Sequence, residues 1–199
     1  PEQRSFLEKM NPCFSYSVQQ SHAPGDHLVT DTFPIGPLPR LGYIYLHSVL
    51  DSYCCFAFAT VDRSRSPETA IAMLHDFVLP FYREKGLRVR NISSSARTQF
   101  GWGRRHPYVL YLALNNITQR RAISGRAEKI GFVARFRSEI CREFLEDQLG
   151  VGSKDDHDSL DSLIQQWIRA YNFERPHFGF PNFGLRPIDR IDDFVARHC

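Results

Sequence analysis

Ten basic side chains fall between residues 97 and 142 against two acidic ones, whereas residues 143–199 carry six basic and eleven acidic groups. Arg97, Arg104, Arg105, Arg120, Arg121, Arg126, Lys129, Arg135, Arg137 and Arg142 make up that block, interleaved with Phe100, Trp102 and Tyr108. Guanidinium and ammonium groups neutralise phosphates, and aromatic faces stack on bases or sugars, so the pattern points to nucleic acid. A solvated face balanced by the acidic tail of the same fold accounts for the charge equally well. Trp102, flanked by glycines and followed closely by Arg104 and Arg105, either stacks on a nucleotide or plugs a surface. Asp155-Asp156-His157-Asp158 has the side chains of a metal site, but it directly precedes an apolar periodic stretch. Acids there favour a helix dipole, which makes capping the simpler role. Cys13, Cys54, Cys55, Cys141 and Cys199 are odd in number and contain no C-x-x-C pair. They suit neither a disulfide framework nor a zinc site and read as reduced thiols of a cytosolic protein.

These groups must be positioned by a chain of 199 residues, 42% hydrophobic, with a net charge of +3. That composition excludes disorder, collagen and a coiled coil and fits one globular domain. No apolar run approaches the ~20 residues of a membrane span. Residues 1–26 are polar, close on His-Ala-Pro-Gly-Asp, and read as a linker or N-terminal extension; the domain proper occupies 27–199. Aromatic and β-branched stretches at 27–35, 43–50 and 53–61 predict an antiparallel meander. Ser66, Pro67 and the spacing of Ala70, Met73, Leu74, Phe77, Val78 and Phe81 predict a helix that ends at Lys85-Gly86. Residues 87–92 form a short strand, 107–114 a helix and 116–120 a further strand in this reading. Phe132, Phe136, Ile140 and Phe144 predict a long helix over 131–149 with one buried stripe. Asp158 is the expected cap of another, carrying Leu160, Leu163, Ile164, Trp167, Ile168 and Tyr171, with Asp161 in its first turn. The sum is an α/β layered domain with helices on both faces of a mixed sheet.

Several fixed stretches resemble the integrase-core (DDE) transposases of bacterial insertion sequences. Pro24-Gly25-Asp26-His27-Leu28-Val29-Thr30-Asp31-Thr32-Phe33 is similar to that family's first strand, whose Asp is the first metal-binding acid. Val49-Leu50-Asp51-Ser52-Tyr53 resembles the second strand and its turn. Tyr171-Asn172-Phe173-Glu174-Arg175-Pro176-His177, with Gly179, Gly184 and Arg186-Pro187 after it, is similar to the closing signature. The resemblance runs from Pro24 to about Ile191. It implies a ribonuclease H-like fold: a mixed five-stranded sheet flanked by helices on both faces. It also implies DNA as partner, with self-association possible and no membrane.

The family's chemistry needs three carboxylates converging on two divalent ions. The stretch aligned with the second acid is Ser94-Ser95-Ala96-Arg97-Thr98-Gln99-Phe100, with Ser95 at the Asp position. The stretch aligned with the third is Ile130-Gly131-Phe132-Val133-Ala134-Arg135-Phe136, with Ala134 at the Glu position. Asp31 is then the one surviving acid. A hydroxyl is a weak neutral ligand and a methyl is none, so no metal site and no resident cofactor are expected. Asp31 is either a remnant ligand or, more simply, a buried acid satisfied by hydrogen bonds from the Ser95 loop or by a nearby arginine. Asp51 and Asp62 are turn acids. Glu128 and Glu139 lie off the face of Ala134 on a helix. The expected function is a catalytically inactive transposase-like core that retains DNA binding through Arg97, Arg104, Arg105, Arg120, Arg121, Arg126, Lys129 and Arg135. The alternatives are an active transposase with a rearranged acidic site, using Mg2+ or Mn2+, and a protein-interaction module.

Overall fold

The β-branched run after Asp26 forms β1 (His27–Pro34), the centre of a sheet ordered β3-β2-β1-β4-β5. The computed structural model describes residues 21–36, 42–94, 98–101, 103–121, 131–146 and 157–198. β2 (Tyr45–Asp51) and β3 (Ala57–Asp62) follow as antiparallel neighbours, and β4 (Asn91–Ser94) and β5 (Thr118–Arg121) extend the other side in parallel. The sheet is therefore mixed, with five strands, as the resemblance implies. Every residue from 28 to 33 is buried, as a central strand covered on both faces requires. β3 starts four residues later than its aromatic run implies. Residues 51–55 instead close a turn, with Cys55 N–H donating to the Asp51 carbonyl at 2.8 Å and Cys55 at φ 59°.

Ser66 caps α1 (Pro67–Met73) by accepting from the Thr69 N–H at 3.2 Å, and Pro67 occupies a first-turn position where no N–H is needed. The helix does not run on regularly to Lys85. A π-helical turn (Leu74–Val78) joins it to α2 (Leu79–Glu84), with the Leu79 N–H reaching back five residues to the Leu74 carbonyl. Pro80 supplies the reason: it has no N–H, and its ring would press on the carbonyl four residues back in a regular helix. The wider turn shifts the buried stripe, so Tyr82 is buried, Phe81 is half-buried and Phe77 is 47% exposed.

α3 (Pro107–Leu114) lies with α1 and α2 on one face of the sheet, where Leu28, Val49 and Ile92 meet Leu74, Val78 and Tyr108. α4 (Gly131–Ile140), continued by a π-helical stretch (Cys141–Glu146), and α5 (His157–Phe173) cover the other face. Phe132, Phe136, Ile140, Leu160 and Ile164 there pack on Val29, Phe33, Leu46 and Leu50. Phe136 is fully buried, edge-on to Trp167 and Tyr171, and truncating such a side chain costs about 3–5 kcal/mol. Asp158 lies inside α5 rather than ahead of it as its cap. Asp161 ties the helix to the sheet instead, accepting from the Thr60 hydroxyl at 3.0 Å and the Val61 N–H at 3.2 Å. α6 (Pro187–His198), which no periodicity argument anticipated, seats Ile188 and Ile191 against Cys54 and Phe56. Among the described residues no helix is long and apolar enough to cross a membrane.

Candidate functional site

Alternation along β1 puts Val29, Asp31 and Phe33 on the face that α4 and α5 cover. Asp31 is fully buried there. Its antiparallel partner is Ser48, also fully buried, whose hydroxyl donates to the Asp31 carbonyl at 3.5 Å. On the parallel side, Val29 pairs with Ser93, and the described register stops at Thr30 opposite Ser94, one residue short of Asp31. Ser93 Oγ lies 2.7 Å from His27 Nε2. The pair resembles a nucleophile and its base, but Ser93 has no exposed surface, so the contact is structural. Burial first, then the nearby Arg120 charge, lowers the His27 pKa. Among the described residues the sheet neighbours of Asp31 on this face are thus the Ser48 and Ser93 hydroxyls.

α4 brings no acid to the same face. Ala134 is half-buried, and one turn on, the Arg137 guanidinium stands 4.4 Å over the Phe33 ring. Arg135 is closed into a 2.7 Å ion pair with Glu139 in the same helix. Ser95, Arg97, Trp102, Arg126, Glu128 and Lys129 lie outside the described residues.

Other acids are engaged elsewhere. Asp51 occupies the opposite face of the sheet, fully buried, and accepts from the Tyr82 hydroxyl at 2.7 Å and from the Gly25 and Tyr53 N–H groups, each at 2.8 Å. Burial pushes its pKa up to about 6, against the pull of these three hydrogen bonds. Gly25 is required for the contact: at φ 78°, a Cβ there would lie 2.8 Å from the Arg88 carbonyl oxygen. Asp62 accepts from the Ser64 N–H and the Thr69 hydroxyl in its turn. Among the described residues no three His, Cys, Asp or Glu side chains gather as a metal site. The described groups at this face, one buried carboxylate, the Ser48 and Ser93 hydroxyls and an alanine, do not fit a pair of divalent ions, which need several oxygen ligands each.

Among the described residues the arginines of this block do not converge on one patch. Arg104 and Arg105 are exposed in the loop before α3, on the side of the sheet away from Arg135. Arg120 is exposed on β5 and donates through Nε to Asn91 Oδ1 at 2.9 Å; Arg121 ends that strand. The loop that follows β4 is clamped by a residue that carried no sequence signal. Gln119 Nε2 donates to the Phe100 carbonyl at 2.7 Å, and Phe100 is buried edge-on to Tyr108. Gly101, at φ 21°, admits the His106 ring, which a Cβ would meet at 2.1 Å.

The closing signature is a set of structural ties. Asn172 accepts from the Ala57 N–H at 2.9 Å and donates to the Ala57 carbonyl at 2.7 Å, so one side chain pairs with β3 as a neighbouring strand would. His177 contacts the Tyr171 carbonyl at 3.0 Å through Nε2 and stands edge-on to the Tyr171 ring. Arg175 stacks over Trp167 and pairs with Glu143. Asn182 donates to the Cys54 carbonyl at 2.7 Å.

The fold is similar to that of solved integrase catalytic cores, a ribonuclease H-like architecture. Residues 115–182 match the family model described as integrase core domain. No curated protein matches the chain. Among solved structures, the bovine immunodeficiency virus (BIV) integrase catalytic core is 11% identical, with 88% of this chain and 99% of that one covered and a TM-score of 0.64. The HTLV-2 integrase catalytic core, solved with magnesium in a dimeric form, is 12% identical over 83% of this chain and 99% of that one, at 0.58. A chain of the simian T-cell lymphotropic virus intasome, in complex with PP2A regulatory subunit B56 gamma, is 13% identical at 0.64 over 87% of this chain. This chain spans 56% of that one.

Proposed function

We propose that the chain is a transposase- or integrase-type core that binds DNA without cutting or joining it. The observation that carries this reading is the chemistry of the sheet face bearing Asp31. Ser48 stands opposite the acid on β2, Ser93 lies opposite Val29 on β4, Ala134 stands on α4, and the next turn presents a guanidinium over Phe33. A cation at that place opposes divalent-metal binding and suits a phosphate. The core we assign to residues 27–199 draws residues 21–26 in with it, through the Gly25–Asp51 contact and a 2.5 Å contact between the Ser21 and Ser52 hydroxyls.

Exposed Arg104, Arg105 and Arg120 support DNA as the partner, through phosphates rather than bases. Self-association is supported by a groove of about 410 Å3 beside β3 whose rim carries the exposed Phe77 and Phe173. The dimeric form of the HTLV-2 core accords with it.

A strand-nicking and strand-transfer assay with Mg2+ and with Mn2+ on double-stranded DNA tests the proposal. Activity at background is expected. Turnover abolished by Asp31→Ala would overturn it in favour of an active transposase with a rearranged acidic set.

A further inference from the structure

Three arginines share one cavity at the end of the sheet where β1 and β4 begin. Arg88 and Arg90 stand two residues apart on the extended run that leads into β4, so their side chains leave the backbone on one side. Arg83 joins them from the last turn of α2. With Gly86 and Asn116 they line a cavity of about 760 Å3, which no acidic side chain lines among the described residues and whose inner wall includes the buried Tyr82. All three arginines are exposed. Arg90 makes one 3.3 Å contact with Asp26 and remains 72% exposed. Neither Arg83 nor Arg88 has a carboxylate within 4 Å among the described residues.

We infer that this cavity is a second, sequence-independent contact for the phosphate backbone of DNA, at the far end of the sheet from the loop that follows β4. Three guanidiniums around one concavity repel each other, and a polyanion relieves that repulsion while using their planar donor forks. The aromatic ring in the wall is buried, so bases have no face to stack on and the contact is with phosphates alone. None of the arginines of residues 97–142 lines the cavity, and neither Asp31 nor Ala134 does. The inference rests on the reading of the chain as a DNA-binding core, but not on the state of its metal site.

The test is fluorescence anisotropy of a labelled duplex DNA against salt concentration. It compares the full chain, the triple variant Arg83→Ala/Arg88→Ala/Arg90→Ala, the charge-keeping triple Arg→Lys variant at the same positions, and a control triple Arg63→Ala/Arg65→Ala/Arg197→Ala. Each phosphate contact contributes about 0.9 to the slope of log affinity on log salt. The alanine triple should lower that slope by about 2–3 and weaken binding in 0.1 M salt by about 100- to 1,000-fold, while the lysine triple holds most of both. An unchanged slope in the alanine triple, or an equal drop in the control, would overturn the second contact alone. No salt-dependent binding by the unaltered chain would overturn both this inference and the DNA-binding reading. Full competition by unstructured polyphosphate at equal phosphate concentration would overturn the choice of DNA.

Discussion

The Arg137 guanidinium lies 4.4 Å from the centre of the Phe33 ring, two residues along β1 from Asp31 and on the same face of the sheet. α4 thus delivers a cation to this strand. Removing that contact costs about 0.5–2 kcal/mol by the usual strength of a partly desolvated cation–π pair. Arg137→Ala should therefore lower the denaturant midpoint without changing its slope, and Phe33→Leu in the same background should add less than it does alone. Equilibrium urea unfolding of the four forms checks this, and strict additivity would contradict it.

Asn172 replaces a strand partner for Ala57 with a single amide. Asn172→Ala leaves a buried N–H and a buried carbonyl unpaired, at roughly 1–3 kcal/mol for each. A loss of about 2–5 kcal/mol is expected in thermal or urea unfolding, large for one side chain. A loss under about 1 kcal/mol would show that water replaces the amide.

Asp51 makes stability depend on pH in an unusual direction. Its folded pKa, about 6, lies above the ordinary value of 3.8, so between these values the folded state holds the proton that the unfolded state has lost. Its contribution is present at low pH and is lost as pH rises from about 4 to about 6, amounting to roughly 2–3 kcal/mol. His27, His47 and His177, whose pKa values burial lowers, act the other way, costing stability as pH falls below about 6.5. The difference in unfolding free energy between the wild type and Asp51→Asn cancels the histidines. That difference should fall by about 2–3 kcal/mol from pH 4 to pH 7, and a flat difference would contradict the assignment.

Gly101 and His106 occupy each other's space. Gly101→Ala should destabilise by about 1–3 kcal/mol, as overpacking does, and His106→Ala should recover most of the loss. A double-mutant cycle by thermal unfolding measures the coupling, which would be absent if the loop simply moved aside.

How far the fold is legible without coordinates depends on where the information resides. The apolar series through Leu160, Ile164, Ile168 and Tyr171 and the buried stretch around Leu28–Val29 announce α5 and β1, because periodicity is local. The phase slip at Leu74–Val78 was also written locally, in Pro80, but a run of well-spaced apolar residues outweighed it. Ile188, Ile191 and Val195 of α6 were hidden behind the closing signature. The separation of Asp51 from Asp31 is not local: it follows from strand register, which sets the two acids on opposite faces. Gln119 and Asn172 were legible only as polar residues, since their value lies in backbone groups distant in sequence. Ser95 and Ala134 were found by resemblance alone, with no spacing argument to recover them.

The central claim is that the face bearing Asp31 cannot hold a catalytic pair of divalent ions. Calorimetric titration of the chain with Mn2+, beside Asp31→Ala, measures this directly. The expected result is no saturable heat that differs between the two proteins. Saturable binding of two ions per chain, abolished by Asp31→Ala, would contradict the account.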